Sequence, residues 1–500
     1  MKKLFIITII SICFLFQFNL FAQTFSVIWK NTYNDGVLCN VRSLNGEPDG
    51  SFIYTGMCWI GMFYPLLKKI GSEGGEVWTR RFYNNSPNYG TISTSFDRTI
   101  DGGFILCGDN NNYPGYSDYD LHLIWTDSVG NYQRDTLLVD SAITTGINIF
   151  TLNNAHFAIV GSFRNLGSNA NIFLMEVDSE GGVLWLKQYG GNDVEQANGA
   201  ILTNDSCFVI AGATQSFGNG GNDVYIIKTN ILGDTLWTKT YGGQSDDYGT
   251  SVNISENGGY IVTGYTNSFG SGNYDGYVLR IDESGDTLWT KIVGGENDDR
   301  FYDAVSTEYG DVIVGFTESF LPPDYSHRDV LITLIESDGV SFSNFHFLFE
   351  TSPSPHETNQ KSTANTILRI SENEFIIGGD FYYYDTNNGD FRKAALAKVS
   401  YGTSYVEIDN NYPNAFHLYQ NYPNPFNPVT SIKYSVPKIS LVNLVVYDVL
   451  GKEIMTLVNE EKYPGNYTIQ FDGSNLSSGV YLCVMKSDNF NETKKLILLK

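Results

Sequence analysis

Residues 247–299 read DYGTSVNISENGGYIVTGYTNSFGSGNYDGYVLRIDESGDTLWTKIVGGENDD. Four short β-type runs stand out: TSVNIS, GYIVTGYT, GYVLRID and DTLWTKIV. They are separated by the turn-rich segments ENGG, NSFGSGNYD and ESG, where Gly, Asn, Asp and Ser suit tight turns. The stretch recurs. Its second run, an apolar segment ending in glycine, appears as FIYTG, FILCG, FAIVG, FVIAG, YIVTG, VIVG and FIIGG, closing at Gly56, Gly108, Gly161, Gly212, Gly264, Gly315 and Gly379. Successive spacings are 52, 53, 51, 52, 51 and 64 residues. A glycine turn followed by tryptophan forms a second landmark at Trp78, Trp185, Trp237 and Trp289; in the second repeat Trp125 precedes its turn, and the sixth repeat has none.

A period near 52 residues holding four strands corresponds to one propeller blade. No stretch shows helical periodicity, so the chain is all-β. The expected fold is a seven-bladed β-propeller of four-stranded blades over residues 23–401. The seventh repeat ends near Ser400 without a tryptophan strand, while the start of the chain carries FSVIWKNTYNDG with Trp29 in the phase of Trp289. The N-terminal strand is therefore expected to complete the last blade, removing the free edge of an open ring.

Composition agrees. The 500 residues include 50 Gly, 33 Tyr and 32 Phe, and only 17% are charged, which suits many strands and tight turns rather than disorder or coiled coil. The net charge of −24 argues against nucleic acid and anionic membrane as partners. Residues 1–22 have the order of a secretory signal peptide: Lys2 and Lys3, an apolar run, and a cleavage point after Phe21-Ala22. No later segment is apolar enough to span a bilayer, so no transmembrane segment is expected after cleavage. Five cysteines then remain, Cys39, Cys58, Cys107, Cys207 and Cys483. They form no disulfide framework or zinc pattern, although Cys39 and Cys58 could face each other across a hairpin.

The composition changes near Leu418. Residues 418–500 carry eight lysines against seven acids, whereas residues 23–417 carry 21 basic residues against 48 acidic ones. The tail reads as a small antiparallel β-sandwich with a Pro-Asn entry, joined through a linker at 402–417. Its landmarks are Asn424, Pro425, Phe426, Asn427 and Pro428 within NYPNPFNP, Gly451 after Tyr447-Asp448, Phe471-Asp472-Gly473, Gly479 and Tyr481 in SGVY, and Lys494 and Lys495 in TKK. In this order and at the chain terminus, they resemble the type A C-terminal sorting domain of the type IX secretion system. Cys483 and the SDNF turn depart from that pattern. The resemblance implies recognition by the type IX machinery, passage through the periplasm, and delivery to the outer-membrane surface or the medium.

In a four-stranded blade, the loop entering the inner strand shares a face with the loop between the two middle strands. Asp193, Asp246, Asp247, Asp298 and Asp299 should thus lie near Asp223, Asp275 and Asp329, with Phe217, Phe269 and Phe320 beside them. Such a face could hold calcium or a glycan; alternatively each Asp caps its own turn and each Phe seals the gap between blades, the reading repetition favours. The phrase IDESGDTLW is similar to the tryptophan-docking motif of pyrroloquinoline-quinone propellers, a likeness of blade locking rather than of cofactor binding. The six histidines show no HxxxH or HExxH spacing, and no GxSxG or phosphate loop is present. No catalytic constellation is legible. The expected function is a secreted binding or adhesion module with a glycan or protein ligand; the competing class is an extracellular hydrolase or lyase acting on glycans.

Overall fold

The computed structural model describes residues 24–499, except 60, 62, 83–88, 113–118, 139–141, 154, 166–168, 321–326, 351–356, 386–388, 403–415, 437–439, 463–464 and 488–489. The signal-peptide reading and most of the linker at 402–417 lie outside the described residues. Among these residues every regular element is a β-strand. The chain divides into two compact units, Met1–Ser404 and Tyr405–Lys500.

The first unit repeats a four-stranded antiparallel sheet. In the stretch quoted above the strands are Asp247–Ile254, Tyr260–Thr266, Asp275–Ile281 and Thr287–Val293, paired in chain order. Repeats 2 to 6 each form a separate sheet of this kind. Repeats 1 and 7 are joined into one larger sheet by Leu38–Cys39, which pairs with Arg392 on one side and with Cys58 and Trp59 on the other. Cys39 and Cys58 form a disulfide there.

The fourth strand of repeat 7 is Thr24–Tyr33. It pairs antiparallel with the strand before the chain leaves the unit, from Thr24 opposite Gly402 to Tyr33 opposite Ala394. Trp29 sits opposite Lys398 immediately after a bulge, as Trp289 sits opposite Arg280 beside one. The phase match thus corresponds to an identical place in the sheet.

The tryptophans have a common task. Trp29 lies against Gly74 in the turn of repeat 1, Trp78 against Gly130, Trp125 against Gly181, Trp185 against Gly233, Trp237 against Gly285, and Trp289 against Gly339. Each ring therefore covers a turn glycine of the next repeat. Trp125 does so from the third strand rather than the fourth, which explains its displaced position. Repeat 6 needs no tryptophan, because the third and fourth strands of repeat 7 come from opposite ends of the chain and no turn joins them.

Seven hydrophobic clusters among the described residues lie between neighbouring sheets, from repeats 1 and 2 through repeats 6 and 7 and back to repeats 7 and 1. Each middle strand is covered on both faces, so it reads as a continuous apolar run instead of alternating. The first strands touch in order, and that of repeat 7 touches that of repeat 1.

The closing glycines follow from a backbone feature. The first strand bulges by one residue opposite the second strand: at Thr94, Ile147, Asn198, Thr250, Tyr302 and Asn365 the register skips a residue. The carbonyl two residues before each bulge residue then crowds the closing glycine; a Cβ on Gly264 would sit 1.8 Å from the Tyr248 carbonyl oxygen, and one on Gly212 would sit 1.9 Å from that of Gln196. Backbone cannot yield as a side chain can. Gly264→Ala should therefore cost at least about 2 kcal/mol, seen as a lower urea midpoint with an unchanged slope; an unchanged midpoint would refute this account.

In the second unit, strands Val429–Val436 and Gly465–Asp472 pair in one sheet, and Ser440–Asp448, Glu453–Lys462, Gly479–Ser487 and Phe490–Leu498 form another. Their buried faces share one core, including Leu418, Phe426, Ile432, Val446, Phe471 and Leu496.

Candidate functional site

The bulges decide what lines the middle of the first unit. Thr94, Ile147, Asn198, Thr250, Tyr302 and Asn365 all line one cavity of about 630 Å³. Arg42 also lines it and takes the corresponding place in repeat 1, where the ladder breaks between Cys39 and Ser43 and the Asn40 carbonyl crowds Gly56. One residue from every repeat thus meets at one ring.

Four of the seven brace the ring. The Thr94 hydroxyl donates to the Gly146 carbonyl at 2.6 Å, the Asn198 amide to Gly249 at 2.8 Å, the Thr250 hydroxyl to Phe301 at 3.0 Å, and the Asn365 amide to Val41 at 3.1 Å. Each bond runs from one repeat to the next, the last from repeat 7 to repeat 1. Ile147 has no donor to offer. Arg42 and Tyr302 are larger and follow a different pattern.

Asp303 is the one carboxylate among the described lining residues, and it is fully engaged. It accepts from the Ser251 hydroxyl at 2.8 Å, the Asn253 amide at 3.1 Å, the Ala304 N–H at 2.9 Å, the Thr366 hydroxyl at 3.2 Å and the Ile367 N–H at 3.1 Å. Burial nonetheless pushes its carboxyl up from the ordinary range. The Asn148 side-chain oxygen, by contrast, is buried without a hydrogen-bond partner. Burial holds the Tyr302 phenol up at about 12, so it is a neutral hydroxyl at physiological pH.

The acidic loops occupy the starts of the first strands, whereas the cavity mainly takes in their bulges and later residues, such as Thr250–Asn253 of Asp247–Ile254, with Gln196 before the bulge in repeat 4. None of the eight aspartates named from the sequence lines it. The two loop sets do meet: the Asp193, Ser245 and Asn297 N–H groups donate to the Ser216, Ser268 and Ser319 hydroxyls. Asp247 and Asp299 are buried and accept from the Gly243 and Gly295 N–H groups at 2.7 and 2.9 Å. Asp223 accepts from the Asn219 and Gly220 N–H groups, and Asp275 from that of Gly272. Burial raises the carboxyls of Asp223 and Asp275, with Asp247 and Asp299 adding to it. Asp246 receives the Asn222 N–H and amide, Asp298 binds Arg300 through both oxygens, and Asp329 contacts His346 at 2.9 Å.

These bonds mainly hold turns in shape. Asp193 is exposed and out of register with Asp246 and Asp298; the repeat 4 counterpart of Asp247 and Asp299 is Glu195, fully buried and accepting from the Gly191 N–H at 2.9 Å. Its longer side chain hid this match from a reading that followed aspartates. Phe217 and Phe269 pack against Gly191 and Gly243 and beside Tyr225 and Tyr277. Among the described residues no group of three or more His, Cys, Asp or Glu side chains is placed to hold a metal ion.

In the tail, the Pro-Asn segment runs along the final strand. The Asn424 side chain accepts from the Ile497 N–H and donates to the Lys495 carbonyl, both at 2.9 Å, while Phe426 is buried against Phe471 and exchanges backbone bonds with Ile497 and Leu499. Pro425, Asn427 and Pro428 belong to the same segment, and the Pro428 carbonyl accepts from the Gly473 N–H. Gly451 closes a left-handed turn in which Asp448 accepts from Leu450 and Lys452. Gly479 opens the strand carrying Tyr481, whose hydroxyl bonds the Ser477 carbonyl at 2.8 Å; Lys494 pairs with Glu492 and Lys495 is exposed. Cys483 is buried as a free thiol, and burial pushes it up to about 12.

Residues 420–499 match the family model described as the secretion system C-terminal sorting domain. The tail is a sorting domain. It directs export to the cell surface or the extracellular space and implies interaction with the type IX machinery. No curated protein matches the chain. Solved structures similar to it include a protein of unknown function from Dyadobacter fermentans (9% identity, 75% of this chain and 99% of that one, TM-score 0.39). A Trypanosoma rangeli sialidase in complex with sialic acid (8%, 95% and 88%, 0.38) and the Neurospora crassa Pan2 WD40 domain (9%, 75% and 95%, 0.31) are further examples. No helix of the described residues is long and apolar enough to cross a membrane.

Proposed function

We propose that the sorting domain delivers a seven-bladed β-propeller that acts outside the cell as a binding or adhesion module, with glycans as its ligands. Two observations support the propeller: seven clusters between neighbouring sheets that return from repeat 7 to repeat 1, and the Trp29–Gly74 contact at that junction. The observation that carries the binding reading is the cavity. Its size suits a small saccharide, and polar groups left over from bracing the ring face it. Ser43, Asn45, Asn148 and Gln196 supply hydroxyl and amide groups, the kind that pair with sugar hydroxyls. Most glycoside cleavage uses two carboxylates with separate roles, whereas Asp303, the one carboxylate among the described lining residues, is already held by five donors, which favours binding over hydrolysis.

Calorimetric titration of the mature chain with neutral and acidic oligosaccharides tests this. At least one class should bind, and Asn45→Trp, which projects an indole into the cavity, should weaken the binding tenfold or more while leaving the melting temperature within a few degrees. Binding unaffected by that substitution, or none to any saccharide, would refute the reading.

A further inference from the structure

Among the seven equivalent residues Arg42, Ile147 and Tyr302 break the repeat, and of these only Arg42 and Tyr302 carry polar groups. A residue that recurs serves the scaffold, as the four bracing side chains do; a residue that departs at the same place is free for another task. Arg42 is exposed to the cavity although protein surrounds it. No acidic side chain among the described residues lies within salt-bridge distance of its guanidinium, and none of their side chains accepts a hydrogen bond from it.

The charges around it are otherwise occupied. Asp380 is paired with Arg392 at 3.3 Å and accepts from the Asn365 amide at 3.2 Å, while Asp109, whose oxygen receives the Gly146 N–H at 3.1 Å, is raised to about 7 by burial and so is only partly ionised at neutral pH. Tyr302 comes from repeat 6, yet its phenol is close enough to interact electrostatically with Arg42. An unpaired guanidinium fork that shares its cavity with a neutral hydroxyl donor matches an anionic group with two or three acceptor oxygens.

We propose that Arg42 and Tyr302 form an anion subsite of this cavity, which takes the carboxylate or sulfate of an acidic saccharide. The inference rests on the glycan-binding reading above and narrows it to a ligand class. Enclosure by protein strengthens the attraction relative to open water, and the acidic exterior places the selective charge inside the cavity, away from simple surface attraction.

The test compares an oligogalacturonide, a sulfated galacto-oligosaccharide and a neutral galacto-oligosaccharide of equal length by calorimetry on the mature chain, at two salt concentrations. At least one acidic ligand should bind tenfold or more tighter than the neutral one, the carboxylated and sulfated arms showing which anion is preferred. Arg42→Gln should erase that preference but keep the neutral affinity and the melting temperature. Arg42→Lys should restore part of the preference, and Tyr302→Phe should weaken the acidic ligand severalfold. Equal binding of neutral and acidic ligands by the unaltered protein would overturn the subsite while leaving glycan binding intact, and it does so even if Arg42→Gln fails to fold. Acidic preference unchanged by Arg42→Gln would overturn it as well. No saccharide binding at all would remove both readings.

Discussion

Deletion of Thr24–Tyr33 is expected to abolish cooperative folding of the repeat unit. The strand carries the fourth position of repeat 7 and touches repeats 7, 6 and 1 at once. Phe25 is buried against Phe375 and Tyr401, the Lys30 ammonium donates to the Leu348 carbonyl in repeat 6, and the Tyr33 hydroxyl donates to the Gly74 carbonyl in repeat 1. Trp29 covers the same Gly74 turn. Truncating a buried aromatic costs about 3–5 kcal/mol, so losing Phe25 and Tyr33 together with the partly buried Trp29 approaches the total stability of about 5–15 kcal/mol typical of a domain. The deletion also strips the partner from the strand Gly389–Gly402 and leaves its backbone groups open. Thermal unfolding followed by circular dichroism, with dye binding to exposed apolar surface, should show a broad or absent transition. Trp29→Ala should give a milder loss of about 2–3 kcal/mol. A deletion variant that melted like the parent would show that the repeat unit does not depend on this strand.

The second large effect concerns delivery. Truncation after Gly402 should leave the repeat unit folded but reduce its surface recovery to near background, with the protein retained in the periplasm. Grafting residues 418–500 onto an unrelated exported protein should carry it across the outer membrane in a host with the type IX machinery. The physical basis is that the tail encloses its own core and forms a separate compact unit. Its Pro-Asn segment is held by its own last strand, through Asn424 and Phe426. Asn424→Ala combined with Phe426→Ala should therefore mimic the truncation in the full chain. Fractionation of these variants decides the matter, and full surface recovery of the truncated form would end the sorting account for this protein.

Most of the scaffold was legible because its signals are periodic and local. Apolar runs covered on both faces, turn glycines and tryptophans one repeat apart all report the same strand order, and Trp29 revealed by phase where the chain start belongs. The sorting domain was legible because its motifs stand in a fixed order at the end of the chain. The bulge residues had a signal too: each stands fourteen residues before its closing glycine, or thirteen in the sixth repeat. That spacing went unread because side chains as different as Arg42, Ile147 and Tyr302 share the position and no composition marks it.

The amino-acid sequence by itself therefore determined the β-class, the repeat, the strand that completes repeat 7 and the sorting tail. Tertiary structure decided the rest. A one-residue bulge brings an equivalent residue of the repeats to the common cavity, and only the arrangement of the sheets places Arg42 in one cavity with Tyr302 from the far side of the sequence. The short strand Leu38–Cys39, wedged between repeats 1 and 7, likewise brings Cys39 against Cys58. The acidic loops showed the reverse. Their charges were conspicuous in the sequence, but local backbone N–H groups engage the buried carboxylates, because a turn offers its donors to the nearest acceptor before any ligand arrives.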